Sequence, residues 1–199
     1  MYRLQHLYWR IMKKIVGYFH TKELKNIGFT DRKILSLQKE GQLLKIRKGL
    51  YRNADLFLQD QSFLDVCYAV PYAIITGFSA LSYYGLTTHI PQQISIAIPK
   101  EKQAPRIIYP PVVALRQNTQ KFHRHIVVVK HGKYSFNIYD MEKVVCDTIK
   151  NRNKMGTDTM KETLREYLKR KDKDMLKLYE TARECHVFDK LGEILTVMR

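Results

Sequence analysis

From His20 to Arg52 the chain reads HTKELKNIGFTDRKILSLQKEGQLLKIRKGLYR, and three changes of pattern occur inside it. Thr21 opens a short helix as its N-cap, and Gly28 ends that helix as a left-handed stop. Thr30 caps the next helix, Asp31 to Glu40, with Asp31 placed for the N-terminal dipole and Gly41 closing it. In that helix Ile34, Leu35 and Leu37 are expected to face inward. Arg32, Ser36 and Lys39, three or four residues apart, lie on the outer face, which Lys33 and Glu40 flank. After Gly41 the period shortens. Leu43-Leu44-Lys45-Ile46-Arg47 alternates, Lys48-Gly49 turns, and Leu50-Tyr51-Arg52 returns, with Gly49 at the position that asks for a positive φ.

Upstream, Leu4, Leu7, Tyr8, Ile11 and Ile15 recur at helical spacing, predicting an amphipathic first helix. Helix, short helix, turn, helix and basic hairpin is the order of a winged helix-turn-helix, expected over residues 1–58. Downstream, residues 59–199 predict an α+β domain. Asp60 to Tyr68 and Gly77 to Gly85 read as helices, with Ser79 as a helix N-cap. Ala73 to Thr76 and Ile94 to Ile98 read as strands, and Val112 to Arg116 is compatible with another. His125 to Lys130 and Lys133 to Tyr139 flank His131-Gly132 as a hairpin. From Asp140 onward the pattern is helical. The fold class expected is α+β: a winged helix-turn-helix, then a domain with a small sheet and a helical C-terminal tail.

Charge separates the two parts. The 199 residues carry 35 Lys and Arg against 19 Asp and Glu, a formal net charge of +16. Residues 1–52 alone hold 13 Lys and Arg against three Asp and Glu. A surplus concentrated in this way points to a polyanionic partner. A helix fits the major groove of B-DNA. Arg32, Lys33, Ser36 and Lys39 would meet phosphates and base edges, and Lys45, Arg47, Lys48 and Arg52 would lie over the backbone. Thr21 and Thr30, at the helix starts, join this DNA-facing set.

Other classes find less support. Apolar residues make up 45% of the chain, enough to bury a core, which excludes a mainly disordered protein. The longest near-apolar run, Cys67 to Ile75, contains Pro71 and is too short to span a bilayer. Three separated cysteines suit a reduced, cytoplasmic protein rather than a disulfide framework. Gly77-Phe78-Ser79-Ala80-Leu81 begins like a nucleophile elbow but has Leu81 where the second glycine belongs. Neither the P-loop nor the dinucleotide-binding glycine pattern occurs. Asp140, Glu142 and Lys143 resemble a nuclease metal site, but adjacent Glu142 and Lys143 point apart, so a helix N-terminus is the expected role. His123 and His125 would share one face of a strand near His131, without a third ligand at metal spacing. Neither an enzyme nor a cofactor or metal is expected.

The ordered blocks resemble the abortive-infection AbiE-type antitoxins. The first runs from Phe19-His20-Thr21-Lys22-Glu23-Leu24 through Gly28-Phe29-Thr30 and Gly41-Gln42-Leu43 to Arg47-Lys48-Gly49-Leu50-Tyr51. The second is Ile75 to Thr87 with Ile90-Pro91 and Ile94 to Pro99. The third is Tyr139 to Asp147, in which Val144 stands where the family usually has Thr. The resemblance implies a transcriptional autorepressor whose winged helix binds double-stranded DNA at repeats in its own promoter. It also implies antitoxin action in a type IV toxin–antitoxin, phage-defence system, against a nucleotidyltransferase-type toxin and without a stable complex. Carried over, Arg32, Lys33, Ser36 and Lys39 are recognition-helix contacts and Arg47 and Lys48 wing contacts. The other reading is a protein-interaction module that binds a toxin or another partner directly, without specific DNA binding.

Overall fold

The structure, a computed structural model, describes residues 16–103 and 106–197. The expected first helix, with Leu4, Leu7, Tyr8, Ile11 and Ile15, lies outside them. Strand β1 (Tyr18–His20) leads into helices α1 (Thr21–Asn26) and α2 (Asp31–Lys39), then strands β2 (Leu43–Arg47) and β3 (Leu50–Asn53). The three strands form an antiparallel sheet in the order β1-β3-β2. Leu24, Phe29, Ile34, Leu37, Leu43 and Tyr51 close a small core between this sheet and the two helices.

Both helices end in the same way. Phe29 N–H reaches back to Leu24 C=O at 3.0 Å while Gly28 N–H bonds Lys25 C=O at 2.9 Å. Gln42 N–H reaches Leu37 C=O at 2.9 Å while Gly41 N–H bonds Gln38 C=O at 3.1 Å. These are paired Schellman closures, with Gly28 and Gly41 at φ +94° and +72°. Each seals the last turn, and Phe29 after the first and Leu43 after the second enter the small core.

The remainder builds a mixed five-stranded sheet, order β6-β5-β4-β8-β7. Its strands are β4 (Ile74–Ile75), β5 (Ile94–Pro99), β6 (Val112–Gln117), β7 (Ile126–His131) and β8 (Tyr134–Tyr139). Helices α3 (Gln61–Ala69) and α4 (Gly77–Tyr83) precede β5, and the short α5 (Thr119–Phe122) follows β6. The tail comprises α6 (Met141–Lys150), α7 (Arg152–Met155), α8 (Thr157–Lys169), α9 (Met175–Cys185) and α10 (Phe188–Val197). The larger core runs from α3 through the sheet to α6, α8 and α9, and it takes in Ile46, Leu50 and Leu56 from the N-terminal part. The chain is therefore mixed α+β, with the small sheet packed on the larger body.

Several local expectations change. His20, not Thr21, occupies the N-cap of α1, where its N–H donates to the Glu23 carboxylate at 2.6 Å. Ser79 is not a cap; Thr76 holds that position, and the buried Ser79 hydroxyl accepts from Ser95 N–H at 2.8 Å, tying α4 to β5. His125 does not share a strand with His123. It precedes β7 at φ +63°, its ring between Asp140 at 3.3 Å and Glu184 at 3.2 Å. The hairpin turn is Gly132-Lys133, one residue later than the pattern suggested, because His131 still pairs with Tyr134.

Candidate nucleic-acid interface

Ile34 and Leu37 fix how α2 sits, since both are buried in the small core. Around the helix axis this sends Arg32 and Lys39 to the opposite side, and both are exposed. Ser36 lies beside them, half-buried, its hydroxyl donating to Glu40. Lys33 sits on the flank, half-buried. Thr30 caps the helix, its hydroxyl oxygen accepting from Lys33 N–H at 3.3 Å. Lys25 and Asp31 pair at 2.9 Å across the turn between α1 and α2. Both side chains are open to water, so the pair adds little stability, but it balances the one acid at the start of the helix.

Leu35 corrects the inward expectation. It is 52% exposed and stands on the outer face between the positions of Arg32 and Lys39. Its helical angle alone carried that signal, because a residue three after Arg32 and four before Lys39 must share their side.

The hairpin presents a second basic edge. Lys45 and Lys48 are exposed at β2 and its turn, and Arg47 is half-buried with its Nε enclosed and without a hydrogen-bond partner among the described residues. Register slips between Lys45 and Arg47. Strict alternation would turn Lys45 and Leu43 the same way; the bulge instead buries both Leu43 and Ile46 and leaves Lys45 outside. Thr21 N–H donates to Gly49 C=O at 3.0 Å, so the hairpin tip rests on the start of α1. Thr21 and Thr30 thus serve the scaffold of this face.

Arg52 does not belong to the exposed set. It is 6% exposed, with Nε 2.9 Å from Asp65 Oδ1 and Nη1 donating to Leu56 C=O at 2.9 Å. Strand β3 is central in its sheet and covered on both faces: Tyr51 enters the small core, while Leu50 joins the large one. Residues two apart on a strand share a face, so Arg52 follows Leu50 into the body. Tyr18 donates to the same Asp65 oxygen at 2.6 Å, and Gln61 reaches it at 3.1 Å. Burial pushes the Asp65 carboxyl up, opposed by the Tyr18 hydrogen bond and the Arg52 charge. Tyr18 itself stacks on Tyr68 with ring centroids 3.9 Å apart. A basic residue in a hairpin gives no sequence signal that its strand is central.

The acidic group at Asp140 and Glu142 is also accounted for internally. Asp140 caps α6, accepting from Lys143 N–H at 2.8 Å. Lys177 of α9 places its ammonium 2.9 Å from Asp140 and 3.1 Å from Glu142, and Tyr167 donates to Glu142 at 3.1 Å. An ammonium thus bridges the two carboxylates. His131 lies 3.4 Å from Asp60, and no group of metal-ligating side chains converges among the described residues.

Residues 11–54 match the family model described as a transcriptional regulator, AbiEi antitoxin. The match is confined to the basic head, which is similar to that family. The matched segment holds β1, α1, α2, β2 and β3 entire, so the whole outer face of α2 and the Lys48-Gly49 tip fall inside it. No curated protein matches the chain. No described helix is long and apolar enough to cross a membrane.

Proposed function

We propose that this chain is a DNA-binding transcriptional autorepressor of antitoxin type, a regulator rather than an enzyme, and that its head is a winged helix-turn-helix. The observation that carries the proposal is the outer face of α2, with Arg32, Leu35 and Lys39 exposed and Ser36 half-buried beside them, set beside the Lys45–Lys48 edge within the matched segment. Helix α2 enters the major groove. Arg32 and Lys39 reach guanine edges or phosphates, and Leu35 offers an apolar contact of the kind a thymine methyl takes. Lys45, Arg47 and Lys48 hold the backbone and set register without reading sequence. Arg52 has no part in contact; it anchors the sheet that carries the hairpin.

Occupation of repeats in its own promoter blocks transcription. The body acts as the antitoxin portion against a nucleotidyltransferase-type toxin, without a lasting complex, within a cytoplasmic defence system. Binding of labelled duplex from the chain's own upstream region, measured by anisotropy against a scrambled duplex, tests the DNA reading. Preferential binding to the native duplex is expected. Co-purification of a stoichiometric protein complex with no DNA preference would favour the protein-interaction reading instead.

A further inference from the structure

All three cysteines carry free thiols and are buried. Cys67, in α3, has its sulfur 3.8 Å from the Ala73 carbonyl oxygen, and burial pushes its thiol up to about 11. Cys146 and Cys185 differ, because they meet across two packed helices. Cys146 lies in α6 with its sulfur 3.9 Å from the Leu178 carbonyl oxygen of α9. Leu178, Ala182 and Cys185 recur at helical spacing and are all buried, so the α9 face that Cys146 touches runs on to Cys185. There the Cys146 thiol is hydrogen-bonded to the Cys185 sulfur.

The two sulfurs are not equivalent. Cys185 lines a concavity of about 480 Å³ between β6, α6 and α7, with Lys143 and Asp147 beside it. It is 6% exposed, against 0% for Cys146. The hydrogen bond from Cys146, together with the charges of Lys143 and His125, draws the Cys185 thiol below its ordinary range, against its burial and the Asp147 charge. The same bond, with burial, keeps Cys146 protonated. A thiolate, not a thiol, is the nucleophile. The more readily ionised sulfur therefore stands at the opening, with a second thiol behind it, which is the arrangement of a reversible oxidation site. Cys185 also lies in the last turn of α9, where fewer intrahelical bonds hold the backbone. The approach of the sulfurs to a bonding distance of about 2.05 Å is taken up at that helix end.

We infer that Cys185 and Cys146 are a reversible disulfide-forming site for a small peroxide, with Cys185 as the attacking sulfur and Cys146 as the resolving one. The Cys185 thiolate attacks one oxygen of hydrogen peroxide. The S–O bond forms, the O–O bond breaks, and the released hydroxide takes up a proton and leaves as water. The Cys146 sulfur then attacks the Cys185 sulfenic acid. The S–S bond forms, the S–O bond breaks, and hydroxide leaves as water with the Cys146 proton. Both sulfurs are oxidised, and the peroxide is reduced to two waters. Two equivalents of a small thiol reverse the step: the first opens the bridge as a mixed disulfide, and the second releases the cysteine and departs as the oxidised thiol. The site lies in the body and does not depend on the DNA reading.

Non-reducing peptide mass mapping of the full chain after exposure to hydrogen peroxide tests the site. The expected product is an intramolecular Cys146–Cys185 disulfide, two hydrogens lighter than the dithiol, with Cys67 left as a thiol and the bridge reopened by reduced glutathione. In Cys146→Ser, Cys185 is expected to stop at the sulfenic acid, which dimedone traps. In Cys185→Ser, Cys146 is expected to stay a thiol under the same exposure. Thermal melts check that both variants fold. Limited iodoacetamide on the untreated native protein reads the order of reactivity without any substitution, and Cys185 is expected to be labelled about tenfold or more faster than Cys146 or Cys67. Three free thiols after peroxide, a bridge to Cys67, or a bridge between two copies of the chain would overturn the site. Labelling of Cys146 ahead of Cys185 would overturn the roles given to the two sulfurs.

Discussion

Arg32 and Arg52 carry the same charge and lie at two ends of one basic stretch, yet their surroundings assign them opposite work. Arg32 projects from an exposed helix face. Replacing it with alanine is expected to weaken binding to the native duplex by about 1–3 kcal/mol, with little loss on scrambled duplex, where it reads a base edge. Arg52 is enclosed against Asp65 and Leu56. Arg52→Ala leaves the Asp65 carboxylate buried and uncompensated, so folding stability is expected to fall by about 3–5 kcal/mol, seen as a lower urea midpoint. An unchanged midpoint would contradict the buried anchor. Leu35 supplies a different check. If it meets a thymine methyl, replacing thymine by uracil in the bound duplex weakens the native protein and leaves Leu35→Ala unaffected. Equal weakening of both proteins would remove Leu35 from the reading face.

Elements were legible where a local rule had no competitor. Gly28, Gly41 and Gly49 marked helix ends and a turn, and each has positive φ in the structure. The helix α2, the hairpin strands and the β5 alternation lie where the spacing placed them. What failed was directional. Leu35 reads as inward from its apolar side chain, although its helical angle opposes that. Arg52 reads as outward from its charge, although a central strand leaves it no open side. As a serine near a helix start Ser79 reads as a cap, whereas its hydroxyl serves β5 sixteen residues on. Such long-range partners leave no trace in local spacing.

The helix ends can be tested directly. Gly41→Ala meets no atom within 4 Å, so its cost is the left-handed backbone alone. The expected loss is about 1 kcal/mol, measured as a lower melting temperature. The link between α8 and the 87–88 turn makes a pH prediction. Glu162 accepts from Thr88 Oγ1 and N–H, each at 2.7 Å, and from Thr87 Oγ1 at 2.9 Å. The Thr88 hydroxyl bond, with the Thr88 amide, holds its carboxyl below the ordinary carboxylate range. The folded state therefore binds its proton less readily than the unfolded chain. The stability from this link is present at neutral pH and is lost as pH falls through the lowered value. Glu162→Gln is expected to destabilise at pH 7 and to differ less from the native protein in acid; a difference independent of pH would rule this out.

At the scale of the molecule, the small sheet is not hung on a flexible linker. Ile46, Leu50 and Leu56 share the body's core, Arg52 and Tyr18 meet on Asp65, and the amides of Ile108 and Tyr109 donate to Ile46 C=O at 2.8 and 3.2 Å. A body that grips the sheet in this way fixes the pose of α2 and the hairpin together. Unfolding is expected to be one calorimetric transition with equal van't Hoff and calorimetric enthalpies, and two separated transitions would contradict it. The charge asymmetry was readable from composition, since it needs no contacts. The covered back of the sheet was not, because it depends on α3 and residues far along the chain.

The central claim is that the outer face of α2 reads DNA. Its most direct test is anisotropy on the native upstream duplex and a scrambled duplex, across a salt series, for the native protein and Arg32→Ala/Lys39→Ala. The native protein is predicted to prefer its own duplex and to weaken steeply with salt. The double variant is predicted to lose that preference while keeping a residual, salt-dependent affinity from Lys45, Arg47 and Lys48. A double variant that still selects the native duplex as strongly as the native protein would contradict the account.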